Sequence, residues 1–196
     1  MASAQEVLWL LQAQSGDRDA LNKLLQRIQM QLYGYLVSLV DDKHLAEDLL
    51  QDVFVILIQK LRWLREPNAF PAWVYRIASR QAFRALRSKR RLASVHETDA
   101  LSEATEAEAP EEEAPREIFD RIPELLAQIS PASRAVLSLH YLQEMTLQEV
   151  ADVLEIPLGT TKARLAYGLR VLRTKLNQAA SPAAPHIRSD HRDYRS

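Results

Sequence analysis

TLQEVADVLEIPLGTTKARLAYGLRVLRTKL, residues 146–176, reads as two helices joined by a short turn. Leu147, Val150, Ala151 and Leu154 are apolar at i, i+3, i+4 and i+7, the spacing of one helix face. Thr146, with Glu149 three residues on, forms a capping-box pattern at its start. Pro157 ends this helix, because proline disfavours helical geometry in the residue before it. Pro157-Leu158-Gly159 is expected to make the turn, and Thr160 or Thr161 to cap the second helix. That helix would bury Leu165, Leu169 and Leu172 and expose Lys162, Arg164, Arg170, Arg173 and Lys175. A capped entry, a tight turn and a basic second helix are the layout of a helix-turn-helix, whose second helix places its N-terminal residues on base edges in the DNA major groove. A helical hairpin with a solvated charged face is the plainer alternative.

The rest of the chain is consistent with an all-α protein. Of 196 residues, 47% are hydrophobic and only 4 are glycine, and the long apolar patterns have a period near 3.6. There is no cysteine, which excludes disulfides and thiolate zinc sites and fits a reducing compartment. The first twenty residues lack the basic start and apolar run of a signal peptide. No apolar stretch is long enough to span a bilayer. The expectation is a cytoplasmic protein without membrane insertion.

Charge is segregated along the chain. Residues 1–92 hold 14 Lys and Arg against 9 Asp and Glu; residues 93–120 hold 1 against 10; residues 121–178 hold 7 against 5. Two basic regions therefore flank an acidic one, and a nucleic-acid binder is judged on such local patches. Residues 93–115, ASVHETDALSEATEAEAPEEEAP, carry eight acids, no base and two prolines. Apolar periodicity is lost there, so the stretch is expected to be a flexible, self-repelling linker. At ~3.3 Å per residue it could span at most roughly 75 Å. Two turns of DNA cover about 70 Å. The expected architecture is two small helical domains, 1–92 and 116–178, joined by the 93–115 linker and followed by an irregular tail, 179–196.

In the first domain, Ala4 to Gln14 can form a short helix through Val7, Leu8, Leu10 and Leu11. Ser15-Gly16-Asp17 breaks it, and Asp17 can cap a helix from Arg18 to Val40 with a stripe including Leu24, Leu32, Leu36 and Leu39. Asp41-Asp42 closes that helix and caps another from Lys43 to about Trp63, burying Leu45, Leu49, Phe54, Leu57, Ile58 and Leu61. After a turn at Arg65-Glu66-Pro67-Asn68, a fourth helix spans about Ala69 to Arg90. It begins with aromatics and ends cationic. Arg76, Arg80, Arg84 and Arg87 are spaced four, four and three apart, which stacks them on one face. A solvated face normally mixes signs, whereas this ridge repels itself unless an anion lies against it. It reads as a phosphate-backbone contact. In the second domain a helix through Ile118, Ile122, Leu126 and Ile129 precedes one that Ser130-Pro131 starts and that runs to about Gln143, burying Val136, Leu137, Leu139 and Tyr141. His186 and His191 in the tail have nothing to pre-organise them, so no metal is expected.

These blocks in this order resemble a bacterial RNA polymerase sigma factor of the extracytoplasmic-function, or ECF, group. GDRDALNKLL, LAEDLLQDVFV and FPAWVYRIASRQAFRALRSKRR resemble region two of that family, and ISPASRAVLSLHYLQEMTLQEVADVLEIPLGTTKARLAYGLRVLR resembles region four. The resemblance implies promoter-specific initiation with core polymerase, the first domain working at the −10 element and the second at the −35 element. It implies that Asp48, Gln51 and Asp52 meet the clamp helices of the polymerase largest subunit, and that the second domain meets the flap of the second-largest subunit. It implies −10 contacts from Asn68, Phe70, Trp73, Arg76, Arg80, Arg84 and Arg87, with Trp73 equally suited to the core. It implies −35 contacts from Thr160, Thr161, Lys162, Arg164 and Tyr167. Arginine to guanine is the commonest specific base contact, so Arg164 is the candidate for base readout. An anti-sigma protein is a further expected partner.

Some positions depart from the family pattern. Arg80 stands where Asn is common and Arg84 where an acid is common; Thr161, Ala163 and Tyr167 replace the usual Val, Ser and Arg. These changes fall where DNA would be read, so they bear on promoter sequence rather than fold. A stand-alone helix-turn-helix regulator is the rival reading. No Gly-rich phosphate loop, HExxH, cysteine nucleophile or GxSxG is present, so neither enzyme nor cofactor is expected.

Overall fold

The computed structural model describes residues 3–93 and 129–180, which form seven helices and contain no strand. α1 (Ala4–Gln14) opens on a capping box in which Ser3 and Glu6 exchange side-chain and backbone hydrogen bonds. The chain reverses at Gly16, whose φ of 102° suits only glycine. The Asp17 carboxylate accepts the N–H groups of Asp19 and Ala20 and so starts α2 (Arg18–Val40). Asp41 ends α2 in the left-handed conformation, and Asp42 caps α3 (Lys43–Lys60). Lys89 lies 3.5 Å from the Asp42 carboxylate. Two short 3-10 turns, Leu61–Trp63 and Pro67–Ala69, lead into α4 (Phe70–Ala93). Gln14 at the end of α1 donates to the carbonyls of Leu61 and Leu64 at 2.9 and 2.8 Å, which pins that connection to α1.

The core of this first unit is built from Leu24, Leu32, Leu36 and Leu39 of α2, Val53 and Leu57 of α3, and Phe70, Val74 and Ala78 of α4. Each fully buried side chain of leucine, valine or phenylalanine size contributes about 1.5–3 kcal/mol. A polar chain crosses the core. Tyr35 and Ser79 share a hydrogen bond of 2.6 Å, and Ser79 donates to the Tyr75 carbonyl at 2.7 Å. The Tyr35 and Tyr75 rings meet edge to face with centroids 5.2 Å apart. Burial drives both phenols well above the ordinary tyrosine range.

The second unit begins with α5 (Pro131–Leu137), capped by Ser130 as its sequence predicts. The helix then widens into a π turn over Ser138–Leu142. This corrects the expectation of one regular helix. The wider turn shifts the phase of the residues that follow, and Tyr141, expected in the core, is 55% exposed. α6 (Leu147–Leu154) carries the predicted box, with the Thr146 N–H donating to Glu149 at 2.8 Å and the Glu149 N–H to the Thr146 hydroxyl at 3.3 Å. The Thr146 N–H, and after it the Thr146 hydroxyl donating to the same carboxylate at 2.8 Å, hold the Glu149 carboxyl below its usual range.

α7 spans Leu158–Ala180, so it starts earlier than the sequence suggests. Reversal happens at Glu155, which is left-handed with φ 56°. The Thr161 N–H already donates to the Pro157 carbonyl at 3.0 Å, so Thr160 and Thr161 are inside the helix rather than its caps. Gly159 is helical too and makes no turn by positive φ. Gly168 serves close packing instead. A Cβ there would lie 2.7 Å from Leu137 Cδ1, so glycine lets α7 cross α5 closely.

The two units touch. α2 packs on α5 and α4 packs on α6. Ser38 and Ser138 hydroxyls are 3.3 Å apart, the Tyr75 hydroxyl donates to Gln143 at 2.5 Å, and Arg80 pairs with Glu155. The acidic linker, the helix expected through Ile118 and Leu126, and the C-terminal tail lie outside the described residues, apart from the ends that α4 and α7 take up.

Candidate nucleic-acid interface

α4 is apolar on one side and cationic on the other. Arg84 and Arg87 of the predicted ridge lie toward solvent, with Lys89 and Arg90 following on the same helix. Arg80 is exposed but engaged: its Nε donates to Glu155 at 3.1 Å, and a second guanidinium nitrogen completes a fork on that carboxylate. The pairing raises the guanidinium further and lowers the Glu155 carboxyl, with the hydrogen bond the main cause of both. Arg76 is half-buried, and its Nε has no hydrogen-bond partner among the described residues.

The −10 candidates Asn68, Phe70 and Trp73, at and just before the start of α4, separate into three cases. Asn68 is exposed in the turn that Glu66 caps. Phe70 is only 2% exposed, so its expected −10 contact does not fit this fold. It heads the stripe Phe70, Val74, Ile77 and Ala78 that faces the core. Trp73 leans on that core while part of its ring stays open, its centroid 6.3 Å from that of Phe70. Trp63, which sequence reasoning did not single out, is 61% exposed beneath the Arg62 guanidinium at 4.1 Å. An aromatic just past the inward Leu57 and Leu61 was the available signal. Such a ring stacked with a cation is a sound platform for an unpaired base.

Asp48, Gln51 and Asp52 are all exposed on α3. Val55 and Ile58 extend the same stripe and are 52% and 51% exposed, which corrects the expectation that Ile58 is buried. The face is therefore acidic at one end and apolar at the other, a mixture suited to a protein partner.

On α7 the predicted readers also divide. Lys162 is exposed, and Thr160, Arg164 and Tyr167 are half-buried. Partial burial lowers the Arg164 guanidinium from its usual value. Arg170 lies over the Tyr167 ring at 5.6 Å. Thr161 is fully buried, and its hydroxyl donates back to the Pro157 carbonyl at 3.2 Å, so it holds the turn and does not reach a base. Its place four residues before buried Leu165 was the signal for this. Among the described residues no group of three His, Cys, Asp or Glu could hold a metal, and no helix is long and apolar enough to cross a membrane.

Comparison with known proteins finds two family regions in this chain. The family model for sigma-70 region 2 matches residues 24–92, and that for sigma-70 region 4 matches residues 125–174. The ECF RNA polymerase sigma factor SigW of Bacillus subtilis is 27% identical over 174 residues, covering 84% of this chain and 93% of its own. The ECF RNA polymerase sigma factor SigL of Mycobacterium tuberculosis is 31% identical over 154 residues, covering 75% of this chain and 83% of its own. Among solved structures, CnrH in complex with the cytosolic domain of CnrY superposes with a TM-score of 0.63 at 24% identity, covering 90% of this chain and 99% of that one. The last likeness is one of fold. Region two and region four occur here in order on one chain, which a helix-turn-helix regulator lacking region two does not share. The chain is a transcription initiation factor that directs RNA polymerase to promoters, and it belongs to the ECF family of RNA polymerase sigma factors.

Proposed function

We propose that α3 docks this sigma factor on the polymerase clamp helices, that α4 and the turn before it hold the −10 element, and that α7 reads the −35 element. The observation that carries this is the presence of two separate DNA-suited surfaces, the α4 arginine ridge and the helix-turn-helix, beside an exposed acidic and apolar face on α3. A regulator acting without polymerase has no use for that third face. Asp48, Gln51 and Asp52 supply the charge of the docking face, and Val55 and Ile58 its apolar contact. Arg84 and Arg87 hold phosphates, with Asn68, Trp73 and Arg76 nearer the opened strand. Lys162, Arg164 and Tyr167 face the −35 groove, and the second unit rests on the polymerase flap. The residues between the units serve as the acidic linker. The sigma factor RpoE from Bartonella quintana has been solved in complex with the anti-sigma factor NepR, and an anti-sigma protein is part of this reading. The setting for all of this is the cytoplasm.

Run-off transcription with purified core polymerase tests the reading. Adding the chain should produce defined starts that core enzyme alone does not make. Arg164→Ala should lose about 1–3 kcal/mol of discrimination at one −35 position. Absence of any chain-dependent start would refute the assignment.

A further inference from the structure

We propose that Gln14 is a positioning residue for promoter opening. It holds the connection between α3 and α4 so that Trp63 stands out as a platform for an unpaired base of the −10 strand. This deepens the reading of that connection as part of the −10 surface, and rests on it. α1 is the base from which Gln14 acts. A helix of 11 residues is too short to persist alone, but Leu10 is fully buried and Glu6 lies 3.4 Å from Arg27 of α2, which fixes α1 on the bundle.

The Gln14 side-chain nitrogen donates to the Leu61 carbonyl at 2.9 Å and to the Leu64 carbonyl at 2.8 Å. Carbonyls only accept, so the amide must turn its nitrogen toward them, and both of its hydrogens are used. The two carbonyls flank Arg62 and Trp63. The Leu64 N–H closes the same turn on the Leu61 carbonyl at 3.1 Å. A single 3-10 turn has poor hydrogen-bond geometry and does little to hold itself. Its residues i and i+3 eclipse, so buried Leu61 and half-buried Leu64 face inward together, and Arg62 and Trp63 face out. α1 also packs on the second turn, Pro67–Ala69, where the Glu66 carboxylate accepts the Asn68 N–H at 3.2 Å.

What the clamp presents has a chemistry of its own. Trp63 is 61% exposed, the Arg62 guanidinium lies 4.1 Å from its ring centroid, and Arg65 is exposed two residues on. Rings and cations on one short segment suit a strand whose bases stack and whose phosphates are negative. Every base has a π-face, so Trp63 serves capture of the opened strand rather than choice of base. A ring ordered only on binding would subtract its ordering from the affinity. Gln14 orders the segment beforehand, from a helix that itself touches no DNA in this reading.

The test uses holoenzyme formed from the full chain and core polymerase. The DNA is a promoter whose non-template −10 strand is unpaired and carries 2-aminopurine at one position at a time. With the natural chain, stacking should quench the fluorescence at one position. Trp63→Ala should abolish that quench and weaken binding about five- to a hundredfold, with −10 base preference unchanged. Gln14→Met keeps the length of the side chain and loses both donors. It should relieve the quench in part and weaken binding about three- to tenfold. Gln14→Lys keeps donors for both carbonyls and should stay within about twofold of the natural chain. In the Trp63→Ala background, Gln14→Met should have no further effect. Equal losses from Gln14→Met in both backgrounds overturn the proposal, because Gln14 then acts other than through Trp63. A quench unchanged by either single substitution also overturns it, as does loss of core binding by Gln14→Met, which would make the residue a support of the bundle. If holoenzyme with the natural chain does not hold the unpaired −10 strand, the −10 reading itself falls and the proposal with it, a result distinct from equal losses.

Discussion

Gly168→Ala adds one methyl group where α7 crosses α5. The new Cβ would sit 2.7 Å from Leu137 Cδ1 and 3.2 Å from Leu137 Cγ. Carbon atoms rest about 3.5–4.0 Å apart, so one side must retreat by roughly 1 Å. Leu137 is buried and held on α5, which leaves it little freedom to swing away. Overpacking of this kind costs about 1–3 kcal/mol. Alanine recovers about 0.8–1.0 kcal/mol over glycine in a helix interior. The expected net effect is a loss of about 1 kcal/mol. Leu137→Ala removes the obstacle at a cost of about 2–5 kcal/mol. In that background Gly168→Ala should become stabilising, by up to about 1 kcal/mol, because only the helix term remains. Urea unfolding of the four proteins, followed by far-ultraviolet circular dichroism, measures the cycle. A sign reversal between backgrounds is the signature. If Gly168→Ala stabilises the otherwise native chain, or changes both backgrounds equally, the close crossing is not what demands glycine.

Ser79→Ala should cost more than Tyr35→Phe, about 1–3 against about 1 kcal/mol, because it strands the buried Tyr35 hydroxyl whereas Tyr35→Phe leaves Ser79 bonded to the Tyr75 carbonyl; thermal unfolding of both variants checks the order. The Tyr35 and Tyr75 phenols are raised by burial, so the stability they confer is complete below the ordinary tyrosine range and is lost as pH climbs through and above it. A phenolate absorbance titration should show these two ionising only as the helical signal collapses, and Tyr35→Phe should shift that collapse to higher pH. Arg84→Ala and Arg87→Ala should each lower the salt slope of promoter binding by the assembled polymerase by roughly one phosphate, with little change in sequence preference; a changed preference with an unchanged slope would assign them to base readout instead.

Features fixed by neighbours in sequence are legible without the fold. Asp17, Asp42, Ser130 and the Thr146–Glu149 box all cap the helices their positions predict. Each acts within three residues, so its physics is local. The helix-turn-helix turn lies about one half-turn earlier than its Pro-Leu-Gly signature suggests, because Glu155, which carries no turn-forming signature, takes the left-handed conformation. Phe70 and Thr161 enter the site by resemblance of position alone. Their orientation follows from the inward stripe of each helix, and that stripe turns both away from DNA. Ile58 reads as inward from its apolar character, yet it shares an outward face with Asp48 and Asp52. The Arg80–Glu155 pair joins residues 75 positions apart, and no periodicity reports a contact of that range.

The π turn at Ser138–Leu142 has a consequence for how such a chain can change over time. A π turn is in effect an α-helix carrying one surplus residue. Losing one residue there would restore regular winding and rotate everything downstream by about 100° relative to α5. Gln143 would leave Tyr75, and α6 and α7 would present new faces to α4 and to DNA. Point substitutions can retune which bases α7 prefers, one contact at a time. A one-residue deletion at this place would instead re-aim the whole reading head in one step, with its own sequence untouched.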